Sequence, residues 1–178
     1  MSLRERITAI VTANRPALRF FGLFALSFAV LYLIFGLMPG IRLGLIQPYT
    51  ELLARAVKSI VNTFGAGATV DGITVQSPRF SLKIVMGCDG VEASCLFAAG
   101  VLAFPTSWRA KVVGLALGLP LIHLINLGRL VGLYYAGVYV PSSFEELHVY
   151  VAQTIVILLS AAILIFWLDR FAVRRRAI

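Results

Sequence analysis

The chain has 178 residues, of which 60% are hydrophobic and only 13% charged, with a mean hydropathy of +0.91. These values exclude an ordinary soluble domain and leave the membrane-protein class. The formal charge of +8 does not point to nucleic acid, because the basic residues gather at the two ends and in loops instead of forming a stripe. Two cysteines are too few for a disulfide framework, and no CxxC or HExxH pattern supplies a metal quartet, so neither cofactor nor metal is expected.

The basic start MSLRERITAIVTANRPALRF resembles the head of a signal peptide. However, the apolar run over about 20–38 is long enough to span and no small-x-small cleavage site follows, so a retained first helix is expected. An outer loop over 39–89 comes next. In it Tyr49, Leu52, Leu53, Ala56, Val57, Ile60, Val61 and Phe64 recur at i, i+3 and i+4, with Pro48 as a first-turn residue and Gly65 as a stop. The pattern predicts an amphipathic helix over about 48–64, lying on the membrane or on the bundle as a packing element or as a lid. Two short strands, 68–76 and 79–85, then form a small β-hairpin over about 68–86, with Ser77 and Pro78 at its turn and Asp71 and Gly72 as a second possible turn. The hairpin leads into Gly87, Cys88, Asp89 and Gly90.

Three further spanning helices are expected over about 90–107, 112–135 and 149–168. The apolar heart of the first, 91–104, is short and needs its flanks to approach the roughly 20 residues of a crossing, which keeps its outer end close to the membrane surface. The expected fold is an all-α polytopic membrane protein: four transmembrane helices, an outer amphipathic helix and a β-hairpin, in a single membrane domain over 1–178. Arg4, Arg6, Arg15 and Arg19 precede helix one, Arg109 and Lys111 separate helices two and three, and Arg170, Arg174, Arg175 and Arg176 follow helix four. The positive-inside rule therefore puts both termini in the cytoplasm, although the outer loop also carries Arg42, Arg55, Lys58, Arg79 and Lys83.

Ionisable residues inside spanning segments are costly and mark function. Counted from Val112, His123 lies roughly 17 Å deep, Asn126 roughly 21 Å and Arg129 roughly 26 Å, which brings Arg129 near the outer boundary of a layer about 30 Å thick. Arg129 reads either as a snorkelling or structural partner of Glu92, Glu145 or Glu146, or as a clamp on an oxyanion or carbonyl. Asn126 reads as its orienter or as a packing contact. His123 reads as a hydrogen-bonded core histidine, and Gly114, Gly118 and Pro120 as packing features. Cys88 stands just before a helix start, where backbone N–H groups and the helix dipole favour a thiolate, whereas Asp89 and Glu92 oppose it. His148, at the outer start of the last helix, lies at the level to act on Cys88. Cys95 is about 10 Å deeper and reads as a small buried hydrophobe. Depth thus joins Cys88, Arg129 and His148 as a thiol peptidase or transpeptidase site. A small polytopic transporter, a non-catalytic assembly subunit and a zinc site on Cys88, His148 and a carboxylate are the alternatives.

The segments MGCDGVEASCLFAAGVLAFPTSWRAKVVGLALG, NLGRLVGLYYAG and FEELHVYVAQTIVIL, taken together, resemble the exosortases, most closely the short exosortase H type, over about 45–168. The resemblance implies a membrane-embedded cysteine transpeptidase. Its partners would be secreted proteins that end in a sorting signal made of a short motif, a transmembrane helix and a basic tail. It also implies a bacterial inner membrane location, with the site on the outer face in contact with lipid. By motif, GCDG marks Cys88 as nucleophile, NLGR marks Arg129 and the LH of the last helix marks His148, with Asp89, Gly90, Asn126 and Glu92 in support. Many members carry more helices before the core, so here four helices and the outer loop are expected to build the site.

Overall fold

The computed structural model describes Thr12 and residues 14–173. The expected basic signals at Arg4, Arg6, Arg174, Arg175 and Arg176 lie outside the described residues. Helix α1, Arg15–Leu37, opens on Pro16, whose missing N–H costs nothing in a first turn. Short helical turns over 39–46 lead into α2, Gln47–Thr63. Three strands follow, β1 Thr69–Asp71, β2 Thr74–Gln76 and β3 Ser81–Lys83, and then helices α3 Val91–Ala103, α4 Trp108–Tyr139 and α5 Pro141–Ala172.

Three of these helices, α1, α4 and α5, are long and apolar enough to cross a membrane. The count of four expected from sequence is met only if α3 is included, and α3 has 13 residues. Its flank fails to extend it because Phe104 turns to extended backbone ahead of Pro105, and Ser107 caps the next helix by accepting from the Ala110 N–H at 3.3 Å. For the same reason α4 starts at Trp108, before the expected 112. Lys111 reaches back and donates to the Leu102 carbonyl, giving the end of α3 a cation where the helix dipole favours one. Helix α5 likewise starts earlier than the expected 149. Pro141 opens it, and its turns widen to i-to-i+5 spacing over Leu147–Ala152.

Beyond Glu92 and Ser94 near its start, helix α3 is apolar, and it packs against α1, α4 and α5. Phe97 fits against Gly118, Leu164 against Gly100, and Trp167 against Gly114, where its Nε1 donates to the Ala110 carbonyl at 2.9 Å. A side chain at Gly118 would begin 2.2 Å from the Phe97 ring, so the glycine sets the close approach of α3 and α4. These pairings run α3 antiparallel to α4, and α4 antiparallel to α5.

The expected hairpin is a three-stranded antiparallel sheet, β1-β2-β3. The segment read as one strand over 68–76 folds back on itself, pairing Asp71 with Thr74 across Gly72, which takes a φ of +55°. The second turn seen in the sequence is therefore used as well as the first. Leu82 and Ile84 point inward and Ser81 and Lys83 outward, as the alternation requires. Helix α2 packs Leu53, Val57 and Val61 on this sheet and on Leu130, Leu133 and Tyr134 of α4, whereas Leu52 and Phe64 of its expected apolar face are exposed. Cys88 belongs to the same core cluster.

Candidate active site

The loop from Gly87 to Gly90 is made for tight reversal. Gly87 and Gly90 take φ values of +87° and +82°, a region that L side chains avoid, and the Cys88 N–H donates to the Val85 carbonyl at 2.9 Å. Asp89, buried, accepts from the Val91 N–H at 3.0 Å and so satisfies one of the free donors at the start of α3. A Cβ on Gly90 would also stand 3.1 Å from the Asn126 amide, so that position is constrained by conformation and by space.

Asn126, fully buried in α4, holds the loop from the other side. Its Nδ2 donates to the Cys88 carbonyl at 2.9 Å, and its Oδ1 accepts from Arg129 Nη1 at 3.3 Å. Arg129 Nη1 also donates to the Gly87 carbonyl at 3.3 Å, and Nη2 reaches Cys88 Sγ at 3.9 Å. From α5, His148 brings Nε2 to 2.8 Å from Cys88 Sγ. Its ring is stacked on Phe144, one turn earlier, with centroids 5.7 Å apart. The wide turns over Leu147–Ala152 lie where the histidine must face inward, a common use of such turns.

The three residues joined by depth in the sequence therefore converge. Asn126, Asp89 and Gly90 stand with them. Glu92 lies beside Gly87 and makes no hydrogen bond or ion pair with Cys88, Arg129 or His148, and Arg129 forms no ion pair with Glu92, Glu145 or Glu146. His123 turns elsewhere, with Nδ1 2.7 Å from the Tyr49 hydroxyl and Nε2 3.3 Å from Ser94 Oγ. Cys95 is buried among Ile46, Val91 and the aromatic face of α1. Among the described residues no three His, Cys, Asp or Glu side chains gather as a metal-binding group.

Burial pushes the Cys88 thiol above its ordinary range. The Arg129 guanidinium pulls it back by charge and hydrogen bond, and Asp89 adds to the rise. Desolvation of the buried Cys88, three residues before α3 proper, thus opposes the thiolate that the helix start favours. Burial also raises Asp89, against the opposing effects of the Val91 N–H and Arg42. The site sets a cysteine sulfur beside a histidine ring, with a guanidinium on its flank. Sequence reasoning missed the bond from Asn126 to the Cys88 carbonyl and the Phe144 stack; the i, i+4 spacing in FEELH was the available sign of the latter.

The family model described as transmembrane exosortase, EpsH type, matches residues 10–167. No curated protein and no solved structure matches the chain. With that match running through α1, the outer loop and all three converging residues, the chain belongs to the transmembrane exosortase family.

Proposed function

We propose that this membrane protein is a cysteine transpeptidase or peptidase that cleaves the C-terminal sorting signal of secreted proteins and passes the cleaved chain to an acceptor. The observation that carries the reading is the 2.8 Å approach of Cys88 Sγ to His148 Nε2 with Arg129 Nη2 on the other flank. As the Cys88 sulfur bonds to the scissile carbonyl carbon, its proton passes to His148 Nε2, which requires the resting imidazole to carry its proton on Nδ1. Arg129, with the backbone N–H groups of Asp89 and Gly90, holds the oxyanion. His148 returns the proton to the leaving nitrogen as the C–N bond breaks, leaving a thioester on Cys88. An amine, a hydroxyl or water then attacks the thioester, gives up its proton through His148 and restores the thiol.

In this reading α3 is the fourth crossing. Residues 1–178 form one membrane domain of a bacterial inner membrane, both termini face the cytoplasm and the thiol site faces outward, where a substrate helix brings its recognition motif. The transporter alternative draws no support from His123, which is occupied by Tyr49 and Ser94.

The test is processing of a tagged cognate substrate in membranes. Cys88→Ala and Cys88→Ser are expected to abolish it, and Arg129→Ala and His148→Ala to slow it by about 10²-fold or more. Full processing by the Cys88 variants would overturn the enzyme reading and favour a scaffold.

A further inference from the structure

A crevice of about 300 Å³ runs between α4 and α5, past the level of the thiol site. Its walls include Ile125 and Gly132 on one side and Val151, Ile155 and Leu159 on the other, and its one charged lining residue is Arg129. Val151, Ile155 and Leu159 are 47%, 49% and 41% exposed, so the crevice opens sideways, toward where lipid lies around spanning helices. Arg129 Nε is buried and has no hydrogen-bond partner, although both terminal nitrogens of the same guanidinium are engaged. At Gly132 an added Cβ would meet nothing within 4 Å. The wall beside Arg129 is therefore open.

We propose that an apolar, membrane-embedded peptide segment lies in this crevice while its scissile bond meets Cys88, and that Gly132 sets which side chains fit; this rests on the thiol transpeptidase reading. The unpartnered Arg129 donor selects the occupant. A peptide drawn out of helical geometry for cleavage presents free carbonyls, one of which satisfies Nε. An acyl chain offers no acceptor, and an intact helix of a second copy has its carbonyls bonded internally. The larger cleft of about 440 Å³ between α1, α3 and α4 lacks this demand, because Tyr49, Ser94 and His123 in its wall already bond one another.

The experiment compares Gly132→Leu with Gly128→Leu. Both glycines have open space at Cβ, but only Gly132 lines the crevice. Processing of the tagged substrate is expected to fall about tenfold or more in Gly132→Leu, the scale on which filling an apolar pocket discriminates, and to hold in Gly128→Leu. Alkylation of Cys88 by a small reagent should be unchanged in both. A photoreactive benzoylphenylalanine in place of Leu159, in a Cys88→Ala background, should crosslink the tagged substrate. Wild-type processing by Gly132→Leu while Cys88→Ala is inactive would overturn the crevice and leave the thiol reading standing, as would crosslinks only to lipid or to a second copy. Processing by Cys88→Ala would instead overturn the thiol reading itself.

Discussion

One amide, that of Asn126, bonds the nucleophile's carbonyl and the arginine at once, so the thiol and its cation are fixed to each other through α4. The charge on Arg129 then tunes Cys88 against burial, and this has a measurable sign. Burial raises the thiol's pKa and the cation lowers it, so removing the cation raises it further and leaves less thiolate at any fixed pH. In Arg129→Gln, with Cys95→Ala to leave one thiol, the midpoint of the iodoacetamide alkylation rate against pH should move to higher pH. An unmoved midpoint would show that Arg129 does not act electrostatically on the sulfur. At this scale the candidates were legible: counting depth along helices favoured Cys88 over Cys95 and His148 over His123, and in the structure His148 lies beside Cys88 while His123 bonds Tyr49 and Ser94. The effect of burial on Cys88 was not legible. The dipole of α3 and the carboxylate of Asp89 are visible in a sequence, but the desolvation that opposes a thiolate depends on the packing of α2, the sheet and α4 around the loop.

Among the elements, α3 owes its position to glycines on its neighbours. Gly118→Ala would drive a methyl to within 2.2 Å of the Phe97 ring, which is buried and has little room to move. A loss of about 1–3 kcal/mol is expected, read as a lower unfolding temperature in detergent, with partial recovery when Phe97→Leu shortens the opposing side chain. Gly128→Ala, with no atom within 4 Å of the new Cβ, should match or slightly exceed the parent. Equal stability of Gly118→Ala and the parent would mean that the two helices are free to separate. The existence and order of the helices were legible from hydropathy, whereas their ends were set by local chemistry: the Ser107 cap, Pro105 and the Pro141 start moved three boundaries by several residues. The third strand was half legible: 68–76 reads as one strand by composition, while its reversal hangs on the turn at Asp71 and Gly72 that the sequence offered only as a possibility.

For the whole molecule, the antiparallel run of α3, α4 and α5 puts Arg109 and Ser142 at opposite ends of α4, both exposed. With Cys88→Ser and Cys95→Ala as background, an impermeant maleimide should label Ser142→Cys from outside intact cells and Arg109→Cys only after the membrane is opened. The reverse pattern would invert the proposed orientation. The charge in the short connections, on which the proposed orientation rests, was legible; the site's assembly was not, since it needs α2 and the sheet folded over the loop. A last consequence concerns the length of α3. Thirteen residues rise only about 20 Å, against a hydrocarbon layer of about 30 Å, and in the proposed orientation Arg109 and Lys111 hold the inner end at the interface. With α3 as a crossing, the mismatch falls on the outer leaflet, which must dimple to meet it. The Cys88 loop then lies at the foot of that dimple, so that a bond flush with the bilayer is met without the substrate being lifted out.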